Sequence, residues 1–479
     1  MKFLRNLALA FMATLALLGN VSQAREMVYA DFDQQTGAFL GFSRADGSNP
    51  FALPGTAGAL TDLSVIGDSR TADYSTTNGT SGRSWLAWAQ AYYKQSFRVI
   101  ANYGASGKRS DEYLTNGNFE KALADGSGWL IFGFPVINDL AQSLAGYVDT
   151  SGVSITEANV VDNAIARLVT KIKLARAAGK RVIALLEPGG SNLVASQVAN
   201  VHEFNRKYRD ALKAVPGVYV VNFNPLIWNT TSSATLIAFK TNYTGDGTHA
   251  QQMMGQALGK WFATNFLPSV MPASDLAVAN ISDVITNGAA QIYTNPLLTT
   301  LTGGTSSNIT VTSGTVPASV VVSGSAAGLL SVVITSGANA NGYGNDVTFA
   351  FTATNPVTAR IDFTLPNANN WEVTDYLEAG LEYDVASSCA ASIYADTILN
   401  SNIGASNVQN DAYMLQTLNS GPPSGLADTG VVLRTPRVTW QAGSTSKGFL
   451  QTRMNLVFAS AGTTTCTVTV RRPFMYRYR

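Results

Sequence analysis

From Leu63 the chain alternates short apolar runs with amphipathic stretches. The runs are "LSVI" (63–66), "FRVIAN" (97–102), "WLIF" (129–132), "RVIALL" (181–186) and "VYVVNF" (218–223). Rich in Val and Ile, they predict β-strands. In the stretch 157–179, Val161, Ile165, Leu168 and Ile172 recur at three- and four-residue steps, and Gly179 stands where a helix stop belongs. Trp85, Trp88 and Tyr92 mark an earlier helix face, an aromatic stripe that belongs in a core. Five strands alternating with helices predict a parallel sheet covered on both faces. Ligands of such sheets gather outside the carboxyl ends of the strands.

After Met271 the pattern changes. "NITVTSG", "SVVVSGS", "LLSVVITSG", "DVTFAFTAT" and "ARIDFTL" alternate polar with β-branched or aromatic residues, and Lys447 is the only lysine left. This predicts an all-β, jelly-roll-like sandwich at 309–479. Residues 61–270 then form the α/β domain and 271–308 a connector. Residues 25–60, rich in Gly, Ala, Ser and Pro, read as an irregular lead-in. At the N-terminus Lys2 and Arg5 precede an apolar run from Leu7 to Leu18, and small residues follow at Ser22 and Ala24. Residues 1–24 therefore read as a secretory signal, whose apolar run is too short to span a bilayer comfortably. No other stretch is apolar enough to cross a membrane.

Composition narrows the function classes. Hydrophobic residues make up 46% of 479 and charged residues 13%, enough for large cores and too apolar for general disorder. A formal net charge of +1 offers no broad basic field, which argues against nucleic acid as a partner. Cys389 and Cys466 are the only cysteines. Export permits a disulfide between them, two buried thiols being equally compatible with the sequence.

Histidine is the sharpest constraint, because the chain has two. His202 lies in the charged amphipathic stretch "NVHEFNRKYRDAL", where a structural role fits best. His249 lies in "YTGDGTHAQQ", a Gly-rich loop opening onto an apolar-periodic helix, with Asp246 three residues earlier. That spacing lets a carboxylate accept from one imidazole nitrogen while the other faces outward. Two histidines leave no His-rich metal site, though an oxygen-ligand site for calcium remains open, and no cofactor is implied. "GASGKRS" (104–110) lacks the first glycine and the Ser/Thr of a phosphate-binding loop. "IGDS" (66–69) puts Ser69 at a strand end, where a following helix offers its backbone N–H and dipole to a developing oxyanion. Gly104 ends the second strand run, and Asn138 brings a side-chain amide donor after the third.

Together these blocks resemble the SGNH/GDSL hydrolases. "GDS" (67–69), "NYGASG" (102–107), "IND" (137–139) and "DGTH" (246–249) are similar to the four family blocks, in order, over roughly residues 60–268. The resemblance implies an SGNH-type, flavodoxin-like α/β/α sandwich with a five-stranded parallel sheet. Its catalytic residues would be Ser69 as nucleophile, His249 as base and then acid, and Asp246 as orienting partner. Ser69, Gly104 and Asn138 would supply the oxyanion hole. Two positions depart from the family: Arg70 replaces the usual leucine, and Val136 stands where the third block has glycine. Arg70, Lys108 and Arg109 lie beside the expected site and could bind an acidic sugar or carboxylate, or be solvated surface charge.

The trailing β domain resembles glycan-binding sandwiches more loosely, as in secreted or phage-tail glycan esterases. The expected activity is hydrolysis of O-acetyl or other acyl esters on an extracellular polysaccharide, by a secreted, periplasmic or tail-borne enzyme. The β domain could bind sugar, with Trp371, Tyr376, Tyr383, Tyr394 and Trp440 available, or mediate homo-oligomer assembly. Two rival readings are a glycan-binding adhesin or tail protein using the hydrolase fold as scaffold, and a lipase-like esterase for acyl lipids.

Overall fold

The five apolar runs are strands: β1 (Thr61–Gly67), β2 (Phe97–Gly104), β3 (Trp129–Phe132), β4 (Arg181–Leu185) and β5 (Val218–Val221). They pair in parallel in the order β5-β4-β3-β1-β2. The computed structural model describes residues 28–32, 39–44, 61–273 except 77, 78 and 81, and 284–478 except 286–288, 341–343, 366–374, 404–405, 411, 414–427, 435–437 and 440–449. The signal read at 1–24 lies outside the described residues, as do Trp371 and Trp440. Within a first unit of 58 residues, Val28–Phe32 pairs antiparallel with Phe39–Arg44.

Strand alternation divides the sheet's side chains between two apolar layers. Ile66, Leu130, Phe132, Val182 and Ala184 enter one layer. Leu63, Val65, Trp129, Ile131, Ile183 and Leu185 enter the other. The α-helices in chain order, among the described residues, are α1 (Ser69–Ala72), α2 (Trp85–Tyr92), α3 (Ser110–Tyr113), α4 (Asn118–Ala124), α5 (Ile137–Ser143), α6 (Val160–Ala177), α7 (Ala195–Leu212), α8 (Asn224–Ile227), α9 (Gln252–Trp261) and α10 (Leu267–Val270). Phe119 of α4, Leu168 and Ile172 of α6, and Val201 and Phe204 of α7 close the first layer. Trp85 and Leu86 of α2 and Met254 and Leu258 of α9 close the second. Each such buried side chain contributes about 1.5–3 kcal/mol. Helix α6 stops where expected, with Gly179 at φ 84°. This is the expected α/β/α sandwich.

Among the described residues the main strands of the C-terminal sandwich are β6 (Thr305–Ser307), β7 (Thr310–Ser313), β8 (Val320–Gly324), β9 (Leu330–Ala338), β10 (Asn345–Ala353), β11 (Val357–Leu365), β12 (Tyr376–Val385), β13 (Ser392–Ile403), β14 (Ser406–Asn410), β15 (Asp428–Arg434), β16 (Leu450–Phe458) and β17 (Thr464–Tyr478). One sheet runs β15-β12-β17-β10-β9-β7 and the other β6-β8-β11-β16-β13-β14. Val322, Ile361, Phe363, Met454 and Leu456 of the second meet Val332, Phe349, Phe351, Leu381 and Val468 of the first in one core. Ala290 and Gln291, in the stretch read as a connector, pair with Arg477 and Tyr476 of β17. Tyr293 and Leu298 are buried in the sandwich core. Cys389 and Cys466 form a disulfide. Of the aromatics named for sugar stacking, Tyr383 is buried and Tyr376 is 47% exposed.

The sandwich packs directly on the α/β layers. Helix α2 splits its faces, because Ala87, Trp88 and Ala91 belong to the sandwich core while Trp85 and Leu86 face the sheet. Buried Asp428 of β15 accepts from Tyr92 Oη at 3.0 Å, Gln256 Nε2 at 3.1 Å and Lys260 Nζ at 3.0 Å. Gln95 Nε2 adds a bond to the Val432 carbonyl at 2.9 Å. Burial, then the Asp428 carboxylate, holds the Tyr92 phenol in its neutral form by pushing its pKa well up.

Candidate active site

β1 ends at Gly67, and Asp68 caps the turn that follows. Its carboxylate accepts the Arg70 N–H at 2.9 Å, and its carbonyl accepts the Ala72 N–H at 3.0 Å. Ser69 is thereby the first residue of α1, and as such its N–H has no partner within the helix. The Ser69 side chain points across the strand ends to the loop before α9. Its Oγ lies 2.8 Å from His249 Nε2.

The histidine loop is built around Asp246. One carboxylate oxygen accepts the N–H groups of Thr248 at 2.9 Å and His249 at 2.8 Å, and the other lies 2.6 Å from His249 Nδ1. An ionised carboxylate only accepts, so Nδ1 carries the proton and Nε2 accepts from the Ser69 hydroxyl. Partial burial pushes the Asp246 carboxyl up, but the N–H groups and imidazole outweigh it and hold it down at about 2. It therefore stays ionised wherever the imidazole is neutral. The outer edge is open, with the side chains of Asp246 58% and His249 35% exposed. Asp73, which caps the far end of α1, feels the same imidazole. Burial raises its pKa, and His249 and Arg83 oppose that rise.

The residues expected to hold an oxyanion fall out differently. The Gly104 N–H is committed to Asn102 Oδ1 at 3.0 Å, which removes it as a free donor. Glycine is needed there for packing, since a Cβ would come within 2.6 Å of Ala72 Cα. Asn138 gives one amide hydrogen to the Lys108 carbonyl at 3.0 Å and has a second. That bond holds the 105–108 turn beside Asn138, with exposed Gly107 in it at φ 72°.

The three basic residues do not form a ligand patch. Arg70 is 6% exposed and pairs with Asp68 and Glu187, so it is neither solvated nor open to substrate. Arg109 is bonded to Asp111 and Gln142 and lies over the Tyr147 ring at 4.3 Å. Lys108 pairs at 3.1 Å with Glu112 one turn on and keeps a half-exposed side chain. His202 bonds to the Ser233 carbonyl at 3.1 Å and packs edge-on against Trp228, away from Ser69.

Two carboxylates that sequence reasoning did not single out support the site. Asp139 is fully buried, accepts from Ser110 N at 2.8 Å and Oγ at 2.6 Å, and pairs with Arg167 at 3.0 Å. It ties α5 to the loop after β2, and burial pushes its carboxyl up to about 6. Glu187 follows β4 and is likewise fully buried. The only sequence signal for it is an acidic residue directly after an apolar run, in "LLEPGG".

Residues 65–250 match the GDSL-like lipase/acylhydrolase family, so this stretch is a GDSL-like lipase/acylhydrolase domain. No curated protein matches the chain. Among solved structures, an acetyl-xylooligosaccharide esterase from Geobacillus Stearmophilus is 17% identical, over 45% of this chain and 95% of that one, at a TM-score of 0.33. A GDSL-like lipase from Bacteroides thetaiotaomicron is 18% identical, over 42% and 84%, at 0.30. The psychrotrophic esterase EstA from Pseudoalteromonas sp. is 14% identical, over 42% and 92%, also at 0.30.

Proposed function

We propose that this protein is an exported serine esterase that removes O-acetyl groups from an extracellular or cell-surface polysaccharide. The observation that carries the reading is the relay from Ser69 through His249 to Asp246, at 2.8 and 2.6 Å. Both distances are within reach for proton transfer in the resting state.

Ser69 Oγ attacks the ester carbonyl while His249 Nε2 takes its proton, and Asp246 stabilises the imidazolium. The oxyanion is held by the Ser69 N–H and the second amide hydrogen of Asn138, with the Gly107 backbone as third donor in place of Gly104. The sugar hydroxyl leaves with the proton from His249. Water, deprotonated by the same imidazole, then releases acetate and regenerates Ser69. The open edge at His249 and Asp246 suits an ester displayed on a polymer, and the adjoining sandwich provides a surface for the chain to which that ester is attached.

Release of acetate from a panel of O-acetylated polysaccharides, and hydrolysis of p-nitrophenyl acetate, tests this reading against a Ser69→Ala control. Wild type should turn over both, and Ser69→Ala should lose about 10³-fold or more. Equal rates for the two proteins would remove the enzyme reading in favour of a binding protein. Preference for long acyl chains, with no acetate released from any polysaccharide, would remove the glycan substrate.

A further inference from the structure

We propose that Glu187, paired with Arg70, is a positioning residue that holds the Ser69 turn, the loop leading to Asn138 and the His249 loop in one register; this rests on the esterase reading above. Glu187 Oε1 accepts from Arg70 Nη1 at 2.7 Å and from the Gly189 N–H at 2.8 Å. Its Oε2 accepts from Arg70 Nη2 at 2.9 Å and from the Val136 N–H at 3.0 Å. These four donors fill the carboxylate's acceptor sites. The residue's own backbone is gripped as well, donating to Asn205 Oδ1 at 2.8 Å and accepting from Asn205 Nδ2 at 2.8 Å and Asn224 Nδ2 at 3.2 Å.

Each bond leads to a different corner of the site. Arg70 follows Ser69 directly, and its guanidinium also grips Asp68, the cap of the same turn. Val136 precedes Asn138 by two residues. Gly189 opens the 189–192 loop, whose Ser191 N–H donates to the Gly247 carbonyl at 2.9 Å. In that loop Asn192 Oδ1 also accepts from Thr248 Oγ1 at 3.3 Å, next to His249. Arg70 stands in α1 just past the end of β1 and Glu187 just past the end of β4, both at the carboxyl edge of the sheet. Arg70 occupies the position where the family has leucine, and Val136, whose N–H Glu187 takes, occupies that of the family glycine. Of the two departures, Arg70 makes the ion pair itself, while Val136 meets it only through a backbone N–H that a glycine would also supply.

A buried ion pair is poor value for stability alone, since apolar residues of similar volume usually serve as well. Misplacing reacting groups by about 1 Å, in contrast, costs on the order of 10²-fold in rate. The test compares Glu187→Gln and the double variant Arg70→Leu/Glu187→Leu with wild type. Removing Arg70 also strips buried Asp68 of its cation, and burial then keeps Asp68 protonated, so the double variant carries no unpaired buried charge and remains usable if Glu187→Gln does not fold. With p-nitrophenyl acetate, both should lose about 10- to 100-fold in kcat while KM stays within about twofold. Hydrogen–deuterium exchange supplies a readout independent of turnover: amides at 134–140 and 244–251 should exchange faster, with helices α6 and α7 unchanged. Wild-type kcat in a folded variant, or faster exchange confined to 187–189, overturns the proposal. If wild type shows no Ser69-dependent turnover, the esterase reading falls, and the exchange result alone decides whether Glu187 sets the three loops.

Discussion

Two clusters of like composition, one buried and one partly exposed, occupy opposite parts of the chain and do different work. At the carboxyl edge of the parallel sheet, Asp68 and Glu187 share one guanidinium, Arg70. In the sandwich, Arg471 meets Asp346, Glu382 and Asp384, and Arg472 pairs with Glu382. The first cluster reaches outward to backbone, taking N–H groups from Arg70, Val136 and Gly189. The second reaches across strands, joining β17 to β12 and β10 side chain to side chain, with the Gly430 N–H as its backbone donor. Loops have few bonds of their own, so a carboxylate that collects their N–H groups fixes where they sit. Strands are already fixed by their ladders, so the same chemistry there adds only cohesion. The difference separates geometry from stability, and the two should come apart under mutation.

The largest stability effect is expected in the sandwich. Arg471→Met leaves Asp384 and Asp346 without their main cation, and because both carboxylates still reach water the loss should be about 1–3 kcal/mol. Urea unfolding should show that loss, while turnover of the still-folded protein stays within about twofold. A collapse of kcat in folded Arg471→Met would erase the distinction between the clusters. Removing the disulfide by Cys389→Ala/Cys466→Ala acts on the same sandwich and should cost at least as much. It closes a loop with a sequence separation of 77, and opening it should cost about 2–4 kcal/mol with kcat again unchanged. Both should lower the unfolding midpoint without touching the Ser69–His249 geometry.

How far each region was legible follows from the range of its interactions. The five strands of the α/β sheet were readable because apolar runs ending in turn residues are local signals. Ser69, His249 and Asp246 were readable because one histidine of two stood in a loop with a carboxylate three residues away. Arg70 was not, since its second partner is 117 positions along the chain and a charge after Gly-Asp-Ser looks solvent-facing. Gly104 had the right kind of residue in the right block, but its N–H is claimed by Asn102 two residues back, a choice only the folded turn makes. The face of α2 that meets the sandwich was legible as apolar. What it packs against was not, because Trp85 and Trp88 carry the same signal for different cores.

The smallest expected effect concerns the one carboxylate of the triad, which is neither buried like Glu187 nor bonded across strands like Asp384. Asp246 is held down at about 2 against an ordinary 3.8, so folding favours its ionised form. Its contribution to stability is therefore complete above pH 3.8 and disappears as the pH falls towards 2. With more than half its side chain in water, screening leaves that contribution below about 1 kcal/mol. Asp246→Asn should accordingly be slightly less stable than wild type at pH 6, and the gap should close between pH 4 and pH 2. Turnover should behave in the opposite proportion, falling by about 10³- to 10⁴-fold because the amide can leave the imidazole in the wrong tautomer. Thermal unfolding across that pH range, set beside kcat at pH 7, checks both parts. A stability gap that persists at pH 2 would mean that Asp246 holds its loop by packing rather than by charge, placing it with the strand-bracing cluster.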